Sequence, residues 1–209
     1  MNTEHLSCQR ITAGVVFPPM QLHHQIVNQI YADITGRYPY QTLQHLPDGA
    51  RMANPDSDFF IQVTRLQANE TVHLFQSTKE KIVDLFKMAQ ERLNVPLFMT
   101  FGVKLTAFLP LNNDNAANIL ERSMLAGVSD KLATLGSGRK GVGFRIVLHQ
   151  DGIHEIKIEP FFNDPSQLYV ELDIQHPTQF NDLSLIEPKI DNAYNYLNNE
   201  VANFLESLE

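Results

Sequence analysis

In the stretch LFMTFGVKLTAFLPL, residues 97–111, the apolar positions Met99, Phe101, Val103, Leu105, Ala107 and Leu109 recur at every second residue without a gap. A strand turns successive side chains to opposite faces, so this spacing predicts a long strand with one buried and one open face. The flanks carry the same grammar. Downstream, Asn113 or Asp114 is placed to cap a helix with Ile119, Leu120 and Met124, broken near Gly127 and ending by Leu135. Residues 142–149 and 153–158 then form a hairpin about Asp151-Gly152. A two-residue loop would oppose Phe144, Ile146 and Leu148 to Glu155, Lys157 and Glu159, whereas a three-residue loop, with Gly152 left-handed in a bulge, opposes them to His154, Ile156 and Ile158. The second register keeps the apolar side chains together and is the one expected. A strand over 166–175 comes next, with Leu168, Val170, Leu172 and Ile174 inward. Ser184 and Glu187 frame the start of a closing helix, with Pro188 in its first turn and a stripe of Ile190, Tyr194, Leu197, Val201, Phe204 and Leu208.

Upstream, Pro96 closes a helix carrying Ile82, Leu85, Phe86, Ala89 and Leu93, which a Ser77-Thr78-Lys79-Glu80 capping box opens. Before it, residues 58–66 and 71–76 read as a hairpin, and residues 40–55, with Pro47-Asp48-Gly49 and Asn54-Pro55, as an irregular connection. Leu22, Ile26, Ile30 and Ile34 mark a helix ended by Thr35-Gly36, and residues 9–17 a strand stopped by Pro18-Pro19. Met1–Arg10 is polar and reads as a loose end without a secretory signal. The expected fold is α+β: an antiparallel sheet with helices packed on one side, in two similar β-α-β-β-α halves, 1–97 and 98–209, forming one compact body.

Composition narrows the classes of function. The chain is 43% apolar with a formal net charge of −8. That balance supports a core and opposes anionic partners, so neither nucleic acid nor a membrane surface is expected. No run approaches the ~20 apolar residues of a membrane span. A single cysteine, Cys8, cannot form an internal disulfide and suits a reducing, cytoplasmic setting. It stands at no helix start and beside no base at fixed spacing, so a nucleophilic role is not expected. The spelling G-x-G-x-x-G at Gly136–Gly141 comes after a helix and precedes a strand, the reverse of a phosphate loop, and reads as a connection. His149 and His154 flank the hairpin but point to opposite faces, and His23 and His24 diverge around a helix, so no shared metal is expected. No cofactor fingerprint is present.

One constellation stands out. Glu155, Lys157 and Glu159 share one face of their strand, as do Tyr169, Glu171, Asp173 and Gln175 of the next. Adjacent strands would gather these carboxylates on one open surface. Such a surface is a solvated face, a dock for a basic partner, or a metal or acid/base site. Tyr38 and Tyr40, around Pro39, are either interface anchors or plugs of a helix end.

The strand ending in Phe17-Pro18-Pro19 with the helix ending at Arg37-Tyr38-Pro39, the strand Leu168–Ile174 with Glu171 and Asp173, and the closing helix with Ala193, Tyr194 and Phe204 resemble a sporadically distributed family of uncharacterised bacterial proteins. The resemblance carries over no functional residue. The element order is also similar to the two-repeat saddle of TATA-binding proteins, an analogy of fold alone. The function expected from the sequence is a non-enzymatic module that binds a protein partner or a second copy of itself. Its candidate surface is Glu155, Glu159, Tyr169, Glu171, Asp173, Tyr38 and Tyr40. The alternative is a small-molecule or hydrolytic pocket between the sheet and the C-terminal helix.

Overall fold

The computed structural model describes residues 1–111, 115–125, 127, 129–136 and 138–208, without the side chains at 129, 130 and 133. The strands are β1 (Ser7–Val16), β2 (Thr42–Leu46), β3 (Gly49–Asn54), β4 (Ser57–Gln62), β5 (Arg65–Thr71), β6 (Thr100–Pro110), β7 (Phe144–His149), β8 (Ile153–Pro160) and β9 (Gln167–His176). The helices are α1 (His24–Thr35), α2 (Phe75–Leu93), α3 (Ala116–Leu125), α4 (Ser129–Leu132), α5 (Ile186–Tyr196) and α6 (Ala202–Glu206). Among the described residues the strands form one nine-stranded antiparallel sheet, in the order β2-β3-β4-β5-β1-β6-β9-β8-β7. The chain is therefore an α+β protein. It packs as two compact units: the first gathers Met1–Gln9, Leu105–Asp173 and Ala193–Glu209, the second Arg10–Lys104 and Ile174–Asn192.

In the second unit the stretch expected to be irregular is a meander. Leu46 pairs with Gly49, Asn54 with Ser57 and Gln62 with Arg65, so β2 to β5 are joined by three two-residue turns. This replaces the expected connection over 40–55 and moves the hairpin turn to Val63-Thr64. The first half thus has four strands between its helices, where the sequence pattern suggests two. Asn54 Oδ1 accepts from the Asp56 amide at 2.9 Å, a side chain standing in for backbone in the turn. Gly49 has to be glycine, because a Cβ there would lie 2.0 Å from the Ile61 carbonyl oxygen.

The start of α2 also differs from expectation. The helix begins at Phe75, so Ser77 lies within its first turn, and Glu80 accepts from Gln76 at 2.7 Å rather than closing a capping box. Its end is as the sequence suggests: Asn94 takes φ 51°, its amide reaches the Gln90 carbonyl at 2.8 Å, and Pro96 lies two residues on. Val83, Phe86 and Leu85 are buried with Phe59, Ile61 and Leu66 of the sheet.

In the first unit the β7–β8 register is the one the apolar pattern requires. Phe144 faces Ile158, Ile146 faces Ile156 and Leu148 faces His154 across a three-residue loop, which closes without the left-handed Gly152 that was expected of it. The N-terminus is not loose: Thr3–His5 form a 3-10 turn, and the Thr3 hydroxyl donates to Glu206. The expected cap of α3 at Asn113 or Asp114 lies outside the described residues; Asn115 Oδ1 accepts from the Ala117 amide at 2.9 Å. The closing helix is entered through Asp182, whose side chain accepts from the Ser184 amide at 2.8 Å, so Asp182 and not Ser184 is the cap.

A π turn over Leu197–Val201 interrupts the closing helix between α5 and α6. Before it Ala193 is buried and Tyr194 half-buried; beyond it the extra residue rotates the final turns, so that Leu205 and Leu208 are buried while Phe204 is half-buried. Phe204 rests edge-on against Phe144, ring centroids 5.9 Å apart. Leu197→Ala should cost about 2–5 kcal/mol in urea unfolding, as a large-to-small change in a full core does. Phe204→Ala should cost clearly less than Leu197→Ala. Equal losses at the two positions would show that the rotation is absent in solution.

Candidate functional site

The face of β7, β8 and β9 turned away from the core brings together the acidic residues that the sequence singles out. In β8 and β9 His154, Ile156, Ile158, Leu168, Val170 and Leu172 are buried, and the residues between them, Glu155, Lys157, Glu159, Tyr169, Glu171 and Asp173, are half-exposed. Alternation alone places these residues. Direct contacts confirm the shared face: the Lys157 ammonium lies 5.4 Å from the centre of the Tyr169 ring, and Arg145 of β7 pairs with Glu155. Lys157 also meets Glu159 at 3.1 Å.

Tyr169 is the centre of this surface. Its hydroxyl donates to Glu171 Oε2 at 2.6 Å, and its ring packs edge-on against Phe108 at 5.7 Å. Burial, and then the hydrogen bond to Glu171 and its charge, push the phenol up to about 12. A hydrogen bond with Thr106 acts in the opposite direction. Two carboxylates here are thus answered by Arg145 and Lys157, and a third is bonded by a neutral phenol. An exposed ion pair of this kind adds little stability, so the face is governed by its charge and shape.

The two other candidates lie in the second unit. Tyr40 is 5% exposed. Its hydroxyl donates to Glu70 Oε1 at 2.9 Å, and burial, with the Glu70 charge, raises its pKa far above the ordinary phenol value. Glu70 also accepts from Ser57 at 2.6 Å and from Lys81 at 2.7 Å, and Lys81 bonds Ser57 at 2.9 Å. The Lys81 ammonium stands over the Tyr40 ring at 4.8 Å. Tyr40 is a core residue, because its ring shields this ion pair and its hydroxyl satisfies one carboxylate oxygen. Tyr38 is half-buried and donates to Asp84 at 2.9 Å, which also binds Arg37; burial and the Asp84 hydrogen bond lift it to about 12. Both tyrosines tie the α1–β2 connection to α2, Tyr38 through Asp84 and Tyr40 through Lys81. Ser57 and Lys81 do not stand out in the sequence, since their meeting depends on the β4–β5 register.

Elsewhere the contacts are structural. Lys79 is 4% exposed and binds Asp191 at 2.8 Å and Glu187 at 3.2 Å, tying α2 to the start of α5. A polar depression of about 370 Å³ touches Asp33, Arg37 and Arg92, but these arginines are held by Asp84 and Asp33. The open face of the second unit carries Arg10, Arg51 and Arg65, with Arg10 and Arg51 both on Asp58. Sequence reasoning misses this basic surface, because β3 lies in a stretch with the composition of a loop. His149 is exposed and His154 buried, on opposite faces as expected. Gly138–Gly141 runs on toward β7 rather than into a helix.

In comparisons with known proteins, no family model and no curated protein matches the chain. Among the described residues no helix is long and apolar enough to cross a membrane.

The hydrogen bond between Tyr169 and Glu171 has a titratable signature. A phenol with a raised pKa in the folded state stabilises below its unfolded value of about 10, and that contribution is lost as pH rises toward about 12. Glu171→Gln should therefore move one tyrosine back toward the ordinary value in an ultraviolet titration of phenolate. An unchanged titration would show that the bond is not formed in solution.

Proposed function

We propose that the protein is a non-enzymatic interaction module that docks a basic protein segment on the open face of β7–β9. The observation that carries this is the grouping of Glu155, Glu159, Tyr169, Glu171 and Asp173 on one half-exposed surface, where Arg145 and Lys157 are the cations on the same strands. A half-exposed tyrosine between carboxylates offers a flat contact for an aliphatic or guanidinium stem, and the flanking charges speed encounter and set orientation. The same charge opposes a phosphate backbone on this face, so no duplex binding is expected at physiological salt. The basic surface of Arg10, Arg51 and Arg65 has the complementary sign, which makes a second copy of the chain one partner of suitable chemistry. A second reading, a small-molecule pocket against the C-terminal helix, is favoured by a separate feature, a cavity of about 170 Å³ between β7, β8 and that helix.

An arginine-rich peptide, titrated into labelled protein, should shift the amide resonances of β8 and β9 outer-face residues, with affinity falling as salt rises. Reversal of Glu171 and Asp173 to Lys should abolish those shifts and move the unfolding midpoint little. Shifts confined to other surfaces, or survival of binding after reversal, would reject the docking face. Sedimentation equilibrium at low and high salt reads the same surface for a second copy: salt-sensitive self-association lost on reversal identifies it as the partner.

A further inference from the structure

We propose that the edge of β7 takes an extended segment of another protein as an added antiparallel strand, with apolar residues and one basic residue at its alternate, inward positions. The proposal goes beyond the acidic outer face and does not rest on it. β7 ends the strand order and pairs with β8 alone. The Gln150 amide donates to the Gly152 carbonyl at 2.9 Å, the bond that flanks a non-hydrogen-bonded pair at His149 and Ile153. The ladder alternates from there. Phe144, Ile146 and Leu148 exchange bonds with β8, and the N–H and C=O groups of Arg145, Val147 and His149 point away from it. These three residues are exposed, and among the described residues no backbone bond reaches them from the open side. Donors and acceptors repeating at two-residue spacing are matched in full by another extended backbone. β7 also lacks the usual guards of an edge. It has no proline, its register with β8 is unbroken from Phe144 to His149, and Arg145 is already held by Glu155. β2, at the other end of the strand order, is flanked by Pro39 and Pro47.

The groove beside this edge sets what the segment carries. Ile146 and Leu148 of β7 line it with Ile156 of β8, and Tyr196, Val201 and Phe204 of the closing helix form the other wall. Ile146 and Leu148 are half-buried although they lie on the core side, so the helix leaves the inner side of the edge strand partly uncovered. A strand added about 4.8 Å from β7 stands its inward side chains beside Ile146 and Leu148 and covers them. Apolar residues at alternate positions suit that side. Glu200 is exposed and lines the same groove. One inward position therefore suits lysine or arginine, whose stem packs on the apolar wall while its head meets the carboxylate. A second copy of the chain offers the wrong charge. Paired edge to edge, each copy would bring its own Glu200 to the shared groove, on a chain of net charge −8.

The test uses the full chain and a capped peptide in which threonine alternates with valine, valine and lysine. The readout is hydrogen exchange at each backbone amide. In the free protein the Arg145, Val147 and His149 amides should exchange fast, and those of Ile146 and Leu148 slowly. The peptide should slow the first three. Replacing its lysine by glutamine should weaken it about two- to five-fold, the margin of one exposed ion pair, and Glu200→Gln should erase that margin. Methylation of the peptide amides at the threonine positions, which face β7 in an antiparallel pair, should abolish binding. Methylation at the valine and lysine positions should leave it nearly unchanged. Val147→Pro removes one outward donor without touching the β8 ladder, a change that an edge strand tolerates. It should weaken the peptide at least about ten-fold. Reversal of Glu171 and Asp173 to Lys should have no effect, which separates this edge from the acidic face. The inference is overturned if the peptide leaves the three amides unprotected, or if neither methylation, or only that at the valine and lysine positions, abolishes binding. Protection of the same amides that grows with protein concentration in the absence of peptide would give the edge to a second copy and overturn it equally.

Discussion

The strict two-residue alternation of β6, β8 and β9 is the constraint on which the rest of the structure depends. It sends Phe101, Val103, Leu105, Ala107 and Leu109 of β6 inward with Ile156, Ile158, Leu168, Val170 and Leu172, each at most 6% exposed. Each large side chain of this set gains about 1.5–3 kcal/mol by leaving water. That is the main term set against the backbone entropy of ordering the strands. A slip of one residue in any strand would reverse its faces and lose the whole set at once, so register is fixed by burial before any polar contact acts. The open face is a consequence: the residues that remain outside are those the candidate surface is made of.

Polar interactions inside the second unit refine a fold that burial has already selected. Glu70, 3% exposed, would be a heavy liability alone. Tyr40, Ser57 and Lys81 each bond one of its oxygens, and the Tyr40 ring covers the Lys81 charge. An ion pair placed so deep contributes little net stability, yet removal of one partner leaves the other uncompensated. The network therefore ties together the α1–β2 connection, β4, β5 and α2, and admits only arrangements in which all four residues meet. Lys79 does the same between α2 and the Glu187–Asp191 turn.

Long periodic segments are legible in the sequence and compact turns are not. The strand over Thr100–Pro110, the β7–β8 register, β9 and the core face of α2 emerge from apolar spacing alone. The β2–β3 hairpin escapes because His45, Gln44 and Arg51 dilute the alternation, and because Pro47-Asp48 and Pro55-Asp56 are two-residue turns that look like loop composition. The Phe204 position departs from expectation because a π turn adds a residue that no stripe of regular spacing announces. For the candidate surface, the outward residues of β8 and β9 can be read from alternation. Their partners cannot: the pairing of Lys157 with the Tyr169 ring needs strand adjacency, and the burial of Tyr40 needs Glu70 and Lys81 brought from 30 and 41 residues away in sequence.

Alternation leaves one face of the sheet covered and the other open. Hydroxyl-radical footprinting of the native protein measures this side chain by side chain. Tyr169, Phe108 and Val147 should be modified rapidly, while Phe101, Leu168 and Leu172 should stay protected until the protein unfolds. Protection of Tyr169 equal to that of Leu172 in dilute, monomeric protein would contradict the account.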